Sequence, residues 1–273
     1  MPKSAALSIG RCVLLLRLVT CATGLVGSAV LDAMLSNPSI TKITILSRRP
    51  VAQATARADP RVSVVLHDDF TSYDDAALRN RLQDARGCVW ALGISQTQVG
   101  SRDEYERITK TFALAAARSF GDVARDNGRP FDFVYVSGLG ATTKPGRFAQ
   151  LFARVKGEAE LGLAALQDEN PLLRASTVRA GFIDTAAHEA VKEYIPAKPI
   201  LTNLTEMVLA PVVRGFWKSA WSPTEHLGKF LTDMAVGRWS EKEMVAAGAE
   251  KIGKGGFLVV ENTVFRKLQG LNA

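Results

Sequence analysis

The chain has 273 residues, 47% of them hydrophobic and 22% charged, with a formal net charge of +7. That balance excludes a disordered or fibrous architecture and allows one large α/β domain with a sizeable core. The basic residues are scattered without a run of like charges, so a solvated basic surface is expected, and no nucleic-acid partner.

Cys12, Cys21 and Cys88, like His67, His188 and His226, lack metal-ligand spacing. This argues against a disulfide framework, a metal site or a histidine-based triad, and for a reducing compartment. Met1 to Ala33 carries Lys3, Arg11 and Arg17 and no acid before Asp32, the composition of a targeting segment. The apolar run Val13 to Leu16, however, continues through Leu18 and Val19 into a glycine turn, so cleavage behind it would remove the strand that the turn requires. A retained first strand is expected, in a cytoplasmic protein, with a mitochondrial one as the alternative. No stretch approaches about 18 consecutive apolar residues, and no transmembrane segment is expected.

In chain order, short β-branched runs predict strands at Val13 to Thr20, Ile43 to Ser47, Val62 to Leu66, Gly87 to Leu92, Phe131 to Ser137 and Ser176 to Val178. Between them, apolar residues at three- and four-residue spacing predict helices over Gly27 to Leu35, Glu104 to Phe120 and Phe148 to Leu166. Such alternation implies an α/β fold, a doubly wound parallel sheet of Rossmann type over residues 1–182. From about Ile183 the pattern changes. Pro196, Pro199, Pro211 and Pro223 break it into short pieces, and a smaller C-terminal lobe over 183–273, packed on the same domain, is expected. Within it Ser222, Pro223 and Glu225 predict a capped helix from Pro223 toward Met234. Phe216, Trp217 and Trp221 are expected to pack in the core, with a substrate pocket or a partner surface as alternatives. The amphipathic stretch Leu204 to Trp217 lacks the dense basic face of a membrane-surface helix.

The first strand runs through Thr20 into Ala22-Thr23-Gly24-Leu25-Val26-Gly27 and a helix. Backbone N–H groups at such a helix start suit a pyrophosphate, and a second strand about twenty residues on completes the setting of a dinucleotide site. That strand ends in Ser47-Arg48-Arg49, where an NAD site would carry an acid for the ribose hydroxyl. Two arginines suit a 2′-phosphate instead, which points to NADP. After the third strand, Asp69 and Phe70 are placed to border the adenine.

The Ala-Thr-Gly-Leu-Val-Gly turn, the Leu92-Gly93 pair with downstream Glu104-Tyr105-Glu106-Arg107-Ile108, Val136-Ser137 ending a strand, Val155-Lys156-Gly157-Glu158-Ala159-Glu160, and Val178-Arg179-Ala180-Gly181-Phe182 together resemble an atypical short-chain dehydrogenase/reductase. Within that superfamily the chain is most similar to the Tat-interacting-protein-like and nucleoside-diphosphate-sugar-epimerase-like branch. The resemblance covers about residues 13 to 185. It implies cofactor contacts from Thr20, Thr23, Gly24, Leu25, Val26 and Gly27, from Ala91, Leu92 and Gly93, and from Lys156, Gly181 and Phe182. It also implies catalytic roles for Ser137, which positions a carbonyl, and for Lys156, which holds the nicotinamide ribose.

Three departures stand against the pattern: Cys21 at the first glycine of the turn, Ala180 at a proline, and Phe152 at the tyrosine four residues before Lys156. In the family that tyrosine moves the substrate proton. With Phe152, the proton is expected from Tyr105, Tyr135 or water. Two functions are therefore carried forward: an NADP(H)-dependent oxidoreductase acting on a small carbonyl or alcohol, and a non-catalytic NADP(H)-binding sensor that regulates a protein partner.

Overall fold

The computed structural model describes residues 16–20, 22–195, 210–211 and 213–271. Its centre is an eight-stranded sheet in the order β3-β2-β1-β4-β5-β6-β10-β9. The strands are β1 (Leu16–Thr20), β2 (Lys42–Ser47), β3 (Val62–Leu66), β4 (Ala85–Trp90), β5 (Phe131–Gly138), β6 (Leu173–Ala180), β9 (Glu250–Ile252) and β10 (Phe257–Glu261). All neighbours pair in parallel except β9, which runs antiparallel to β10 at the edge. A parallel sheet buried on both faces needs near-continuous apolar strands, and Ile43 to Ser47 is buried at every position.

Alternate residues face opposite layers. Leu18, Leu46, Trp90, Phe133 and Tyr135 face a core formed with α5 (Phe112–Asn127) and α6 (Leu151–Glu169). Val19, Ile45, Val89, Val134 and Val178 face a second core formed with α1 (Leu25–Leu35) and α8 (Thr224–Ala235). The remaining helices are α2 (Ala52–Arg57), α3 (Ala76–Leu82), α4 (Arg102–Glu106), α7 (Glu189–Lys192), α9 (Glu241–Ala247) and α10 (Asn262–Leu268). Between α4 and α5 the helix widens into a π turn over Arg107–Thr111. A separate two-stranded parallel ribbon pairs β7 (Phe182–Asp184) with β8 (Trp221–Pro223).

All six strands read from the sequence are present, although Val13 to Leu15 lie outside the described residues, as do Cys21 and most of the stretch from Leu204. β10 is a parallel strand that the sequence reading did not assign; it closes the sheet beside β6. The helix expected from Pro223 begins at Thr224, and its cap differs from expectation. Ser222 does not cap it. It lies in β8, where its hydroxyl donates to the buried Asn262 Oδ1 at 2.6 Å and is thereby taken up.

β1 lies between β2 and β4, so the strand order reverses there. This is the position at which open α/β sheets form a crevice beyond the carboxyl ends of their strands.

Candidate functional site

The crevice starts at the glycine turn. Gly24 is the N-cap of α1 with an extended backbone, φ −106° and ψ 171°, and no side chain caps the helix. The first turn also holds no acid. The N–H groups at the start of α1 and the positive end of its dipole are thus available to an anion. Thr20 at the end of β1 is fully buried, and its Oγ1 accepts from Ala91 N at 3.0 Å and Leu92 N at 3.2 Å. It ties the end of β1 to the end of β4.

A cavity of about 320 Å³ opens beside this turn, lined by Thr23, Leu46, Ser47, Arg48, Arg49, Phe70 and Leu92. Four separate segments, each following a different strand, meet there. Ser47 is buried and donates from Oγ to Arg49 O at 2.7 Å, which turns the chain after β2 and leaves Arg48 and Arg49 exposed at the rim. Arg49 Nη2 stands 3.5 Å from Thr23 Oγ1. Phe70 is buried against Trp90, edge to face at 5.9 Å, and forms a wall. Asp69 does not line the cavity. Its carboxylate accepts from Thr71 N at 2.9 Å and from the Thr71 hydroxyl, which hold it below the usual carboxylate range.

At the carboxyl end of β5, Ser137 is 4% exposed and its Oγ has no hydrogen-bond partner among the described residues. A buried hydroxyl left this way is an exception that calls for a ligand or a water. Lys156, on α6, donates to Val136 O at 3.3 Å and lies 5.8 Å from the centre of the Tyr135 ring. A Cβ added at Gly138 would stand 3.8 Å from Lys156 Cδ and Cε, so the lysine stem runs along the backbone on either side of Ser137. Burial pulls its ammonium from the ordinary 10.5 down to about 8, with Glu160 opposing the shift.

Gly157 makes this arrangement possible. A Cβ there would stand 1.8 Å from Thr142 O, so only glycine lets the loop after β5 close on α6, where Thr142 N donates to Ala153 O at 3.1 Å.

No family model matches the sequence. Among curated proteins the chain is 39% identical over 160 residues to botcinic acid biosynthesis cluster B protein 16 of Botryotinia fuckeliana, covering 59% of this chain and 99% of that one. It is 30% identical over 254 residues to leucinostatins biosynthesis cluster protein T of Purpureocillium lilacinum, covering 86% and 90%. The mitochondrial protein fmp52 of Aspergillus fumigatus is 28% identical over 243 residues, covering 86% and 96%. Among solved structures, a short-chain dehydrogenase/reductase family oxidoreductase from Burkholderia thailandensis superposes with a TM-score of 0.63 at 17% identity, covering 92% of each chain. The chain belongs to the family of leucinostatins biosynthesis cluster protein T, and its fold is that of the short-chain dehydrogenases/reductases.

Against the short-chain dehydrogenase/reductase pattern that the sequence resembles, the surroundings of Phe152 are the anomaly. Its ring packs toward Gly140, where an added Cβ would stand 3.4 Å from Phe152 Cζ, and it offers no hydroxyl. Neither tyrosine expected to compensate does so. Tyr135 is 1% exposed and donates its hydroxyl to Thr109 O in the π turn at 3.0 Å. Tyr105 is also 1% exposed, and burial raises the pKa of both phenols. Both side chains are buried, and Tyr135 packs in one core with Phe131 and Phe133, its ring below Lys156.

Gly181 and Phe182 lie at the end of β6, but the close approach that Gly181 serves is an internal one. A Cβ there would stand 2.1 Å from Ala220 O, and Gly181 N donates to Ser222 Oγ at 2.9 Å and Asn262 Oδ1 at 3.2 Å. Asn262 also donates from Nδ2 to Ser219 O at 2.7 Å. It therefore organises the crevice edge without having been singled out in the sequence, since a lone asparagine after a strand carries no local signal. Asp184 was missed in the same way. It accepts from Arg214 Nε at 2.6 Å and from Trp221 Nε1 at 2.9 Å.

The core role expected of the aromatic cluster holds for none of its three members in full. Phe216 is 93% exposed and Trp217 60%, while Trp221 is half-buried beneath the Arg266 guanidinium at 5.5 Å. The chain leaves its short helical turn before residue 216 and places both side chains beyond the last packed layer.

Proposed function

We propose that the chain is an NADP(H)-dependent oxidoreductase that interconverts a carbonyl and an alcohol on a small organic molecule. The observation that carries this reading is the cavity of about 320 Å³ shared by Thr23 of the glycine turn, Arg48 and Arg49, next to a helix start that no side chain caps. An uncapped helix N-terminus suits the pyrophosphate, and two exposed arginines, with no acid among the residues lining the same cavity, suit a 2′-phosphate. In this reading Gly24, Leu25, Val26 and Gly27 supply backbone N–H groups. Phe70 walls the adenine side, and Asp69 shapes the turn that carries it. Thr20 acts indirectly by fixing Ala91 and Leu92, which with Gly93 border the middle of the cofactor.

When bound, the reduced dinucleotide supplies a hydride. Lys156 holds the nicotinamide ribose, and Gly181 and Phe182 close that end. The partnerless Ser137 hydroxyl donates to the carbonyl oxygen and orients it. Residues 1–182 supply the dinucleotide-binding segments, while the chain from 183 completes the same sheet and core through α8, β9 and β10 and adds the β7–β8 ribbon at the end of β6.

The names of the biosynthesis-cluster relatives support a substrate taken from a biosynthetic route. A cytoplasmic or mitochondrial location fits the cysteine usage, and the relative named mitochondrial supports the second.

The test is loss of NADPH absorbance on mixing the protein with a panel of aldehydes and ketones, alongside titration of NADPH and NADH. Carbonyl-dependent oxidation and tighter binding of NADPH are the expected results. Phe152 favours a second reading, a sensor that binds NADP(H) without turnover and signals to a protein partner. Tight NADPH binding with no carbonyl reduced by any panel member would select it.

A further inference from the structure

We propose that the cavity at the amino ends of β5, β6 and β10 is a second binding site, for a flat, uncharged, mostly apolar ring compound whose one hydrogen-bonding group meets Ser176. The inference does not depend on the oxidoreductase reading. The cavity has a volume of about 810 Å³, within the range of small-molecule sites, and shares no lining residue with the one beside the glycine turn. It lies at the opposite end of the strands whose carboxyl ends carry Ser137 and Gly181.

Its floor is one row of the sheet. Ser176 pairs with Val134 of β5 on one side and with Leu258 of β10 on the other, so the three side chains share a face. That face is otherwise apolar here, and Val134, Val178, Leu258 and Val260 belong to its core. A hydroxyl left unpaired in such a row is costly unless something comes to meet it. Ser176 is 8% exposed, it lines the cavity, and its hydroxyl makes no hydrogen bond to any described residue.

The opposite wall consists of Met234 at the end of α8, Trp239 in the turn that follows, and Met244 of α9. Thioethers adapt to the shape of an occupant and make favourable contacts with aromatic rings, and the indole offers a further ring face. A sheet row facing such a wall favours a planar occupant.

The charges around the cavity select against an ion. Asp132 holds Arg174 at 2.7 Å, Glu241 holds Lys251 at 2.7 Å, and Asp168 accepts from Gly255 N. Among the described residues, Lys254 is the one charged group of the lining outside such a contact, and it is exposed, where its attraction for an anion is screened. Burial already pushes the Asp132 carboxyl above the usual carboxylate range, so a further negative charge beside it is disfavoured. A cation would have to break one of the existing pairs or lie unpaired on the apolar floor.

The experiment titrates the protein at pH 7 by calorimetry with 2-naphthol, a neutral bicyclic ring with one hydroxyl, and with 2-naphthoate and 2-(aminomethyl)naphthalene as charged analogues. Saturable binding of 2-naphthol is expected, unchanged by saturating NADPH, with both ions weaker by about tenfold or more. Ser176→Ala should weaken 2-naphthol by about three- to tenfold, the worth of one net hydrogen bond, and leave the affinity for naphthalene itself unchanged. Met244→Trp, which fills the slot from the opposite wall, should abolish binding of both. Circular dichroism and NADPH titration of the variants should match wild type, and each variant carries the test alone if the other does not fold. Absence of saturable binding to wild type, displacement of 2-naphthol by NADPH, an ion bound as well as 2-naphthol, or wild-type affinity in either folded variant would overturn the proposal.

Discussion

Glu160 has no exposed surface, and its carboxylate takes Arg179 Nε at 3.1 Å and Nη2 at 2.5 Å. The same guanidinium reaches Glu261 at 2.7 Å, so one arginine joins α6, β6 and β10. Removing Glu160 leaves the Arg179 guanidinium with only the more exposed Glu261 carboxylate, at a cost of up to about 3–5 kcal/mol. Glu160→Ala should lower unfolding free energy by that order in a urea titration. Arg102→Ala, which breaks a pair more than half exposed on its arginine side, should change it by no more than about 0.5 kcal/mol. Equal effects would show that the buried pair contributes nothing special.

Arg48 and Arg49 stand at the cavity rim with no acid beside them among its lining residues. A charge-assisted hydrogen bond to a phosphate contributes about 1.5–3 kcal/mol. Arg48→Ala or Arg49→Ala should therefore weaken NADPH by about tenfold or more and leave NADH nearly unchanged by calorimetry. Equal affinity of wild type for the two dinucleotides would remove the basis of the NADP assignment.

Gly24 has a negative φ and an extended backbone, which valine adopts without strain. Gly24→Val should keep its circular dichroism spectrum and lose dinucleotide binding, because the branched side chain fills the space in front of the helix N–H groups. Normal binding by a folded variant would make the turn purely structural.

Phe152 and Lys156 are one helical turn apart on α6. If the proton route is the only deficit, Phe152→Tyr should raise carbonyl reduction. The gain should fall within the roughly 10²–10⁴-fold that acid–base catalysis contributes. A variant no more active than wild type would place residue 152 away from the reacting oxygen.

The lowered pKa of Lys156 has a consequence for stability as well. The folded value is about 8 against 10.5 unfolded, so between those values the unfolded chain binds more protons, and stability rises with pH. At 1.36 kcal/mol per pKa unit the contribution is about 3 kcal/mol. Unfolding free energy of Lys156→Met minus that of wild type should be largest below pH 8 and shrink by about that amount toward pH 10.5. A difference that is flat across this range would contradict the shift.

Much of this was legible in the chain. The period-two and continuous apolar runs identify β1 to β6, and the glycine turn and Arg48-Arg49 are local motifs whose partners lie nearby in sequence. The parts that were not legible depend on long-range contacts. Phe257 to Glu261 reads as apolar, but only its pairing with Ser176 to Arg179 reveals it as a strand of the central sheet. Ser222 has the sequence of a helix cap and becomes a buried donor because Asn262, forty residues on, meets it. Tyr105 and Tyr135 look like spare acids until their burial is seen. The exposure of Phe216 and Trp217 is likewise invisible in a sequence where aromatics cluster by composition.

The strand that covers β6 is synthesised after every other parallel strand of the central sheet. Until Phe257 to Glu261 emerge from the ribosome, the outer edge of β6 presents unpaired backbone groups at Ser176 to Arg179. Such an edge invites pairing with another nascent chain. Expression of this protein is therefore expected to depend on chaperone protection during that interval. Truncations that remove β10, or insertions before Phe257 that delay it, should partition into inclusion bodies even when the dinucleotide-binding half is intact.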